Sequence, residues 1–259
     1  MSIHPLAYVH PEAILESGVT VGPFSFIDRD VVIGEGTTIA SNVNILPGTR
    51  IGKQCNIFSA AVIGGIPQDL KFRGEETLAI IGDNTTIREC VTVNRGTISR
   101  GKTVVGNACL LMAYTHVAHD CILGNNVILA NATQLAGEVE IDDFAILGGG
   151  TLVHQFSKIG AHAMIQGGTK IPKDVPPYST AAREPVSYVG VNSVGLLRRG
   201  YSKEQIHLIQ DVYRIIFQSK LNTTNAIERV LSEIPDTTER NVILDFIRNS
   251  ERGIIKGKI

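Results

Sequence analysis

Between Ile3 and Ile171, every sixth residue is Ile, Leu or Val at 26 of 29 positions. Only Asp69, Glu75 and Ser99 break the series. A second column lies two residues earlier and holds Ala, Ser, Thr, Cys or Val. It runs from Ala7 to Ala61, through Ala79, Thr85 and Val91, and from Thr103 to Thr169. A period of six matches neither the 3.6 of a helix nor the alternation of a hairpin strand. It requires a solenoid of short parallel strands and sharp turns, in which each coil packs only on its neighbours. Glycine often follows the aliphatic residue, as at Gly22, Gly34, Gly52, Gly82, Gly106, Gly124, Gly148 and Gly160. We read these as relief of backbone strain at the turns.

Two stretches carry polar residues where the core needs aliphatic ones, residues 64–78 and 94–102. Both are expected to loop out of the solenoid, and loops on a rigid scaffold are favoured places for binding groups. The hexads stop before Pro172, Pro176 and Pro177, which deny the last coil its backbone donors. Ser202 followed by Gln205 then predicts a capped helix start. Ile206, Ile209, Val212, Tyr213, Ile216 and Phe217 recur at helical spacing, and similar spacing continues to Ile247. The expected organisation is a β-solenoid over residues 1–189 and a helical appendage over 190–259.

Composition narrows the class. A net charge of −1 with 19% charged residues gives no general attraction to nucleic acid. No apolar run reaches the roughly 18 residues of a transmembrane segment, and residues 1–10 lack a basic-then-apolar signal pattern. Cys55, Cys109 and Cys121 fall in the small-residue column and form no CxxC pair with each other or with Cys90. They read as packing residues of a reduced, cytoplasmic protein.

The hexad pattern resembles that of hexapeptide-repeat proteins. There, three hexads make one coil of a left-handed triangular prism, which implies an all-β, left-handed parallel β-helix. On that spacing His119 stacks over Gly137, and Gly137 over Gln155. One column then carries an imidazole able to take a proton from a hydroxyl, a glycine N–H able to stabilise an oxyanion, and an amide. Asp120 stands beside His119 to fix its tautomer. Zinc would draw on His116, His119, His154 and His162. However, His116 and His119 occupy different phases of the hexad, so neither a metal nor a cofactor is expected.

The chain further resembles the UDP-N-acetylglucosamine O-acyltransferase family of lipid A biosynthesis. The resemblance rests on Pro67 to Gly74 (PQDLKFRG), Asn94-Arg95-Gly96-Thr97, His116 to Asp120, Val153-His154-Gln155-Phe156, and Gly190-Val191-Asn192 followed by Leu197-Arg198-Arg199-Gly200. It implies His119 as general base, Asp120 as its orienting acid and Gly137 as oxyanion donor. Asp69, Lys71, His116, His154 and Gln155 become sugar and acyl contacts. Asn192, Arg198 and Arg199 become nucleotide contacts, and Gly167 the limit on acyl length. The implied donor is a 3-hydroxyacyl group on acyl carrier protein, the acceptor is the 3-hydroxyl of UDP-N-acetylglucosamine, and the assembly is a homotrimer. Glu138, Val194 and Asn94 depart from the family's usual residues.

Overall fold

The computed structural model describes residues 2–257. Short strands stack in parallel into three faces. The first face begins at Ser2–Ile3, the second at Tyr8–Val9 and the third at Ile14–Leu15. In the regular coils each strand pairs with the one three hexads later, as for Ile3 with Val21, Val117 with Leu135, and Leu135 with Val153. The hexad aliphatics fill the interior: Ile27, Ile33, Ile45, Ile63, Leu111 and Leu129 are all completely buried. Hydroxyls of the small-residue column are buried too; Thr115 Oγ1 and Ser157 Oγ have no partner, while others bond a carbonyl of their own turn or of the next coil. Thr37 Oγ1 donates to the Gly52 carbonyl at 2.9 Å and accepts from Cys55 N at 3.0 Å, which removes the cost of burying a polar group. Burial raises the Cys109 thiol to about 11 and the Cys121 thiol to about 12, so both stay protonated packing groups.

Both insertions leave the corner between the second and third faces. Their lengths explain why the hexad register survives them. Asn56 pairs with Thr86, five hexads on instead of three, so that coil holds two extra hexads. Thr86 pairs with Leu110, four hexads on, which leaves one extra. Each insertion is a whole number of hexads, and the exceptions Asp69, Glu75 and Ser99 are their phantom core positions.

The glycine expectation needs correction. Gly22, Gly34, Gly52, Gly82, Gly106, Gly124, Gly148 and Gly160 do not have positive φ; the left-handed corner positions fall mostly to Asn, Asp, Ala and aromatic residues such as Asn42, Asp120, Ala132 and Phe144. The small residue is needed instead for close approach of coils. A Cβ on Gly34 would lie 2.6 Å from the Gly52 carbonyl carbon, and one on Gly106 would overlap the Gly124 oxygen.

After the prism the chain forms strand Ser179–Ala182, which turns back antiparallel into Ser187–Val191. The second of these strands crosses the expected boundary at 189/190. Four helices follow, α1 (Ser193–Arg198), α2 (Lys203–Gln218), α3 (Thr223–Glu233) and α4 (Thr238–Arg248). The capping box at Ser202 and Gln205 is formed in both directions. Helix α2 seats on the last coil through Tyr213, which is fully buried and whose hydroxyl donates to the Pro177 carbonyl. Strand Lys256–Gly257 pairs with Ser187–Tyr188 and closes the end.

Candidate active site

The corner between the second and third faces gathers eight of the sequence-derived site residues. Asp69 and Lys71 lie in its first insertion. His116 points out from the adjoining strand, and His119, Asp120, Gly137, His154 and Gln155 occupy successive turns. His119 was expected to face outward. Its ring does lie outside the aliphatic core, yet the residue is only 8% exposed. A Cβ on Gly137 would sit 2.5 Å from its Cε1 and 2.6 Å from its Nε2, so the ring occupies the space that the glycine leaves free.

Asp120 Oδ2 lies 2.9 Å from His119 Nδ1. An ionised carboxylate only accepts, so Nδ1 carries the proton and neutral His119 presents a bare Nε2. Nε2 has no protein partner among the described residues, and neither does the Gly137 N–H. A proton acceptor and a free backbone donor therefore lie on neighbouring turns of one corner. Asp120 is completely buried. Its oxygens accept from Thr97 N at 3.0 and 3.1 Å, Thr97 Oγ1 at 2.6 Å and Arg100 N at 3.2 Å.

His116 Nδ1 bonds Thr92 Oγ1 at 2.7 Å. Burial, and then repulsion from His119 should that ring take up a proton, lower its pKa, which favours a neutral ring at neutral pH. Asp69 Oδ1 accepts from Lys71 N at 2.9 Å, which turns the insertion and leaves the Lys71 side chain exposed. His154 is exposed and Gln155 half-buried.

The remaining four residues lie elsewhere. Gly167 is exposed on the corner between the first and second faces. Asn192, Arg198 and Arg199 line a cavity of about 390 Å3 with Ile146 and Met164 of the first face. Asn192 caps α1 and donates through Nδ2 to the His162 carbonyl at 3.0 Å. Arg199 stacks over the Phe144 ring, 5.3 Å from its centroid, and donates to the Phe144 carbonyl at 3.1 Å. Its Nη1 is buried without a partner.

Sequence reasoning gave no role to Thr97, Arg100, Phe144 or His162. Thr97 and Arg100 sit in an insertion where no period guides the eye. His162 stacks on Phe144 at 4.9 Å and on Tyr178 at 5.6 Å, with Tyr201 Oη 3.3 Å from its Nε2. Burial, and then the Arg199 charge, lower its pKa to about 4 against a weaker opposing pull from Asp143. Between about 6.5 and about 4 the unfolded chain therefore binds a proton that the folded chain refuses, so stability falls as pH falls through that window. Asp142, raised by burial, works in the opposite sense, so a difference measurement is needed. The wild-type melting temperature should drop more steeply from pH 6.5 to pH 4 than that of His162→Gln. Parallel curves would contradict the assignment.

A family model described as UDP-N-acetylglucosamine O-acyltransferase domain 2 matches residues 174–255. A bacterial transferase hexapeptide model of six repeats matches residues 102–137, and a GMPPB C-terminal domain model matches residues 3–108. A curated acyl-(acyl-carrier-protein)–UDP-N-acetylglucosamine O-acyltransferase from Trichlorobacter lovleyi is 53% identical, across 99% of this chain and 100% of the relative. The chain belongs to this O-acyltransferase family. A Chlorobium phaeobacteroides member is 59% identical over 97% of this chain and 96% of its own. The structure of the UDP-N-acetylglucosamine acyltransferase from Bacteroides fragilis superposes with a TM-score of 0.97 at 55% identity, covering 98% and 99% of the two chains. The Acinetobacter baumannii structure gives 0.95 at 42%, covering 98% and 99%. The fold shared by this O-acyltransferase family is the left-handed parallel β-helix with a C-terminal helical region. No helix among the described residues is long and apolar enough to cross a membrane.

Proposed function

We propose that this chain transfers a 3-hydroxyacyl group from acyl carrier protein to the 3-hydroxyl of UDP-N-acetylglucosamine, the first step of lipid A biosynthesis. The observation that carries the reading is the His119 ring, held at Nδ1 by Asp120 and packed against Gly137, with Nε2 and the Gly137 N–H both unpaired among the described residues. Nε2 takes the proton of the sugar hydroxyl as its oxygen attacks the thioester carbonyl. The oxyanion forms toward the Gly137 N–H. Collapse expels the thiolate, which recovers the proton from His119. Asp69, Lys71, His116, His154 and Gln155 along the same corner contact the sugar and acyl groups.

Asn192, Arg198 and Arg199 hold the nucleotide in the cavity they line. They face a different side of the prism from His119, which suits a homotrimer whose active sites form between the catalytic corner of one copy and the first face of the next. From Leu196 to Lys220 the chain carries Arg198, Arg199, Lys203, Arg214 and Lys220 against Glu204 and Asp211. That surplus fits docking of an acidic carrier protein. The location is cytoplasmic, where both substrates are available. Incubating the protein with UDP-N-acetylglucosamine and a mixed acyl carrier protein pool tests the reading. Mass spectrometry should find one ester-linked 3-hydroxyacyl product, and its absence would reject the function.

Chain length gives a finer test. Gly167 marks where the acyl tail passes between copies, and a long-chain donor is expected. A Cβ there would lie 3.0 Å from the Gly149 carbonyl oxygen, so a side chain is tight but directed outward. Each methylene that finds buried surface contributes up to about 0.8 kcal/mol. Gly167→Met should move the preferred donor several carbons shorter without abolishing transfer. An unchanged preference would place the end of the groove elsewhere.

A further inference from the structure

The second insertion leaves the prism after strand Thr92–Asn94, rejoins it at Lys102–Val105, and closes over Asp120. Asp120 has φ of +60°, a left-handed corner conformation that Asp tolerates. Its backbone N–H donates to Thr103 Oγ1 at 2.8 Å. The carboxylate is thus turned away from water and toward residues 97–100. Three donors from that segment meet it, the N–H and hydroxyl of Thr97 and the N–H of Arg100. The hydroxyl bond is the shortest of the set and falls on Oδ2, the oxygen that also receives His119 Nδ1.

The segment is itself anchored across several coils. Ser99 Oγ donates to Glu138 Oε2 at 3.1 Å, and Arg100 Nη2 to Glu140 Oε1 at 2.6 Å. Lys158 Nζ lies 3.4 Å from Glu140 Oε2. Thr77 of the first insertion donates to the Gly96 carbonyl at 2.6 Å. Glu138 N in turn donates to the His119 carbonyl at 3.0 Å. The braces tie the segment that holds Asp120 to Glu138 and Glu140 on the next coil, and Glu138 back to His119.

We infer that Thr97 is a positioning residue for the proposed acyl transfer: its hydroxyl fixes the Asp120 carboxylate, and through it the His119 ring. This rests on the acyl-transfer reading above. A charge-assisted hydrogen bond on a buried carboxylate is strong and directional. Without it, Oδ2 loses its best donor and the carboxylate is free to rotate about its remaining N–H partners. The ring follows, because Nδ1 tracks Oδ2. Substrate contacts are untouched, so the effect belongs in turnover rather than in binding.

The test uses the full chain with UDP-N-acetylglucosamine and acyl carrier protein donor. Thr97→Val keeps the shape and removes the hydroxyl. Its kcat should fall about tenfold or more, with KM for the sugar nucleotide changed less than about twofold. Thr97→Ser keeps the hydroxyl and should restore kcat to within about twofold of wild type. In an Asp120→Ala background, Thr97→Val should cost nothing further, because the group through which it acts is gone. A Thr97→Val kcat near wild type, a Thr97→Ser loss as large as that of valine, or full additivity with Asp120→Ala would each overturn the inference while leaving an active wild type as evidence for acyl transfer. A wild type that makes no acylated sugar nucleotide would instead overturn the acyl-transfer reading, and this inference with it.

Discussion

His119→Ala should lose about 100- to 10,000-fold in turnover, the range expected when a positioned general base is removed. The protein around it should survive. Asp120 keeps Thr97 N, Thr97 Oγ1 and Arg100 N as donors, so the substitution strands no buried carboxylate, which is the usual cause of large losses at such sites. The ring lies outside the aliphatic column, and its removal opens space toward Gly137 rather than inside the prism. Turnover and thermal stability should therefore separate: a collapsed kcat with a melting temperature within a few degrees of wild type. Activity above about a tenth of wild type would remove His119 as the sole base. A collapsed melting temperature would mean that the residue supports the fold.

The prism and the column of His119, Gly137 and Gln155 were legible because a six-residue period is rigid bookkeeping. Once a coil is three hexads long, any two residues separated by that length share a corner wherever no insertion intervenes. The insertions did not spoil that reading only because they add whole hexads, two in the first case and one in the second. Inside them the same periodicity is silent. Thr97 and Arg100 reach Asp120 through loop geometry that no period encodes. The glycine column was legible in position but not in cause, since close approach between coils and a left-handed turn call for the same residue type. The antiparallel pair Ser179–Ala182 and Ser187–Val191 was missed because it follows the end of the hexads and precedes the first helix, where neither period operates. His162 was noticed only as one of several histidines. Phe144 lies three hexads before it on the same corner, but Tyr178 and Tyr201 come from beyond the hexads, and the cluster is completed only where the tail packs on the last coils.

Gly137→Ala should be nearly as damaging as loss of the base, although it adds a single methyl group and keeps the backbone N–H. The added Cβ would lie 2.5 Å from His119 Cε1, 2.6 Å from Nε2 and 3.2 Å from Nδ1, inside van der Waals contact along the whole ring edge. The ring has no easy retreat, because Nδ1 is tied to Asp120 and Asp120 is tied to residues 97–100. Relief requires breaking the Nδ1 bond, rotating the ring off Gly137, or pushing two stacked coils apart. The first two displace Nε2 by an ångström or more, a scale of error that costs about 100-fold in rate. The third is overpacking, worth about 1–3 kcal/mol of stability. The oxyanion donor is chemically intact in the variant, so the loss would report geometry and not a missing hydrogen bond. Gly149→Ala is the matched control. It occupies the same hexad position on another corner, where the new Cβ meets the Asn131 carbonyl oxygen at 3.1 Å and the Asn131 nitrogen at 3.9 Å, and it should stay within a few-fold of wild-type kcat. A Gly137→Ala enzyme that also keeps kcat within about threefold would show that the His119 ring is free to move, and that its contact with Gly137 does not set the position of the base.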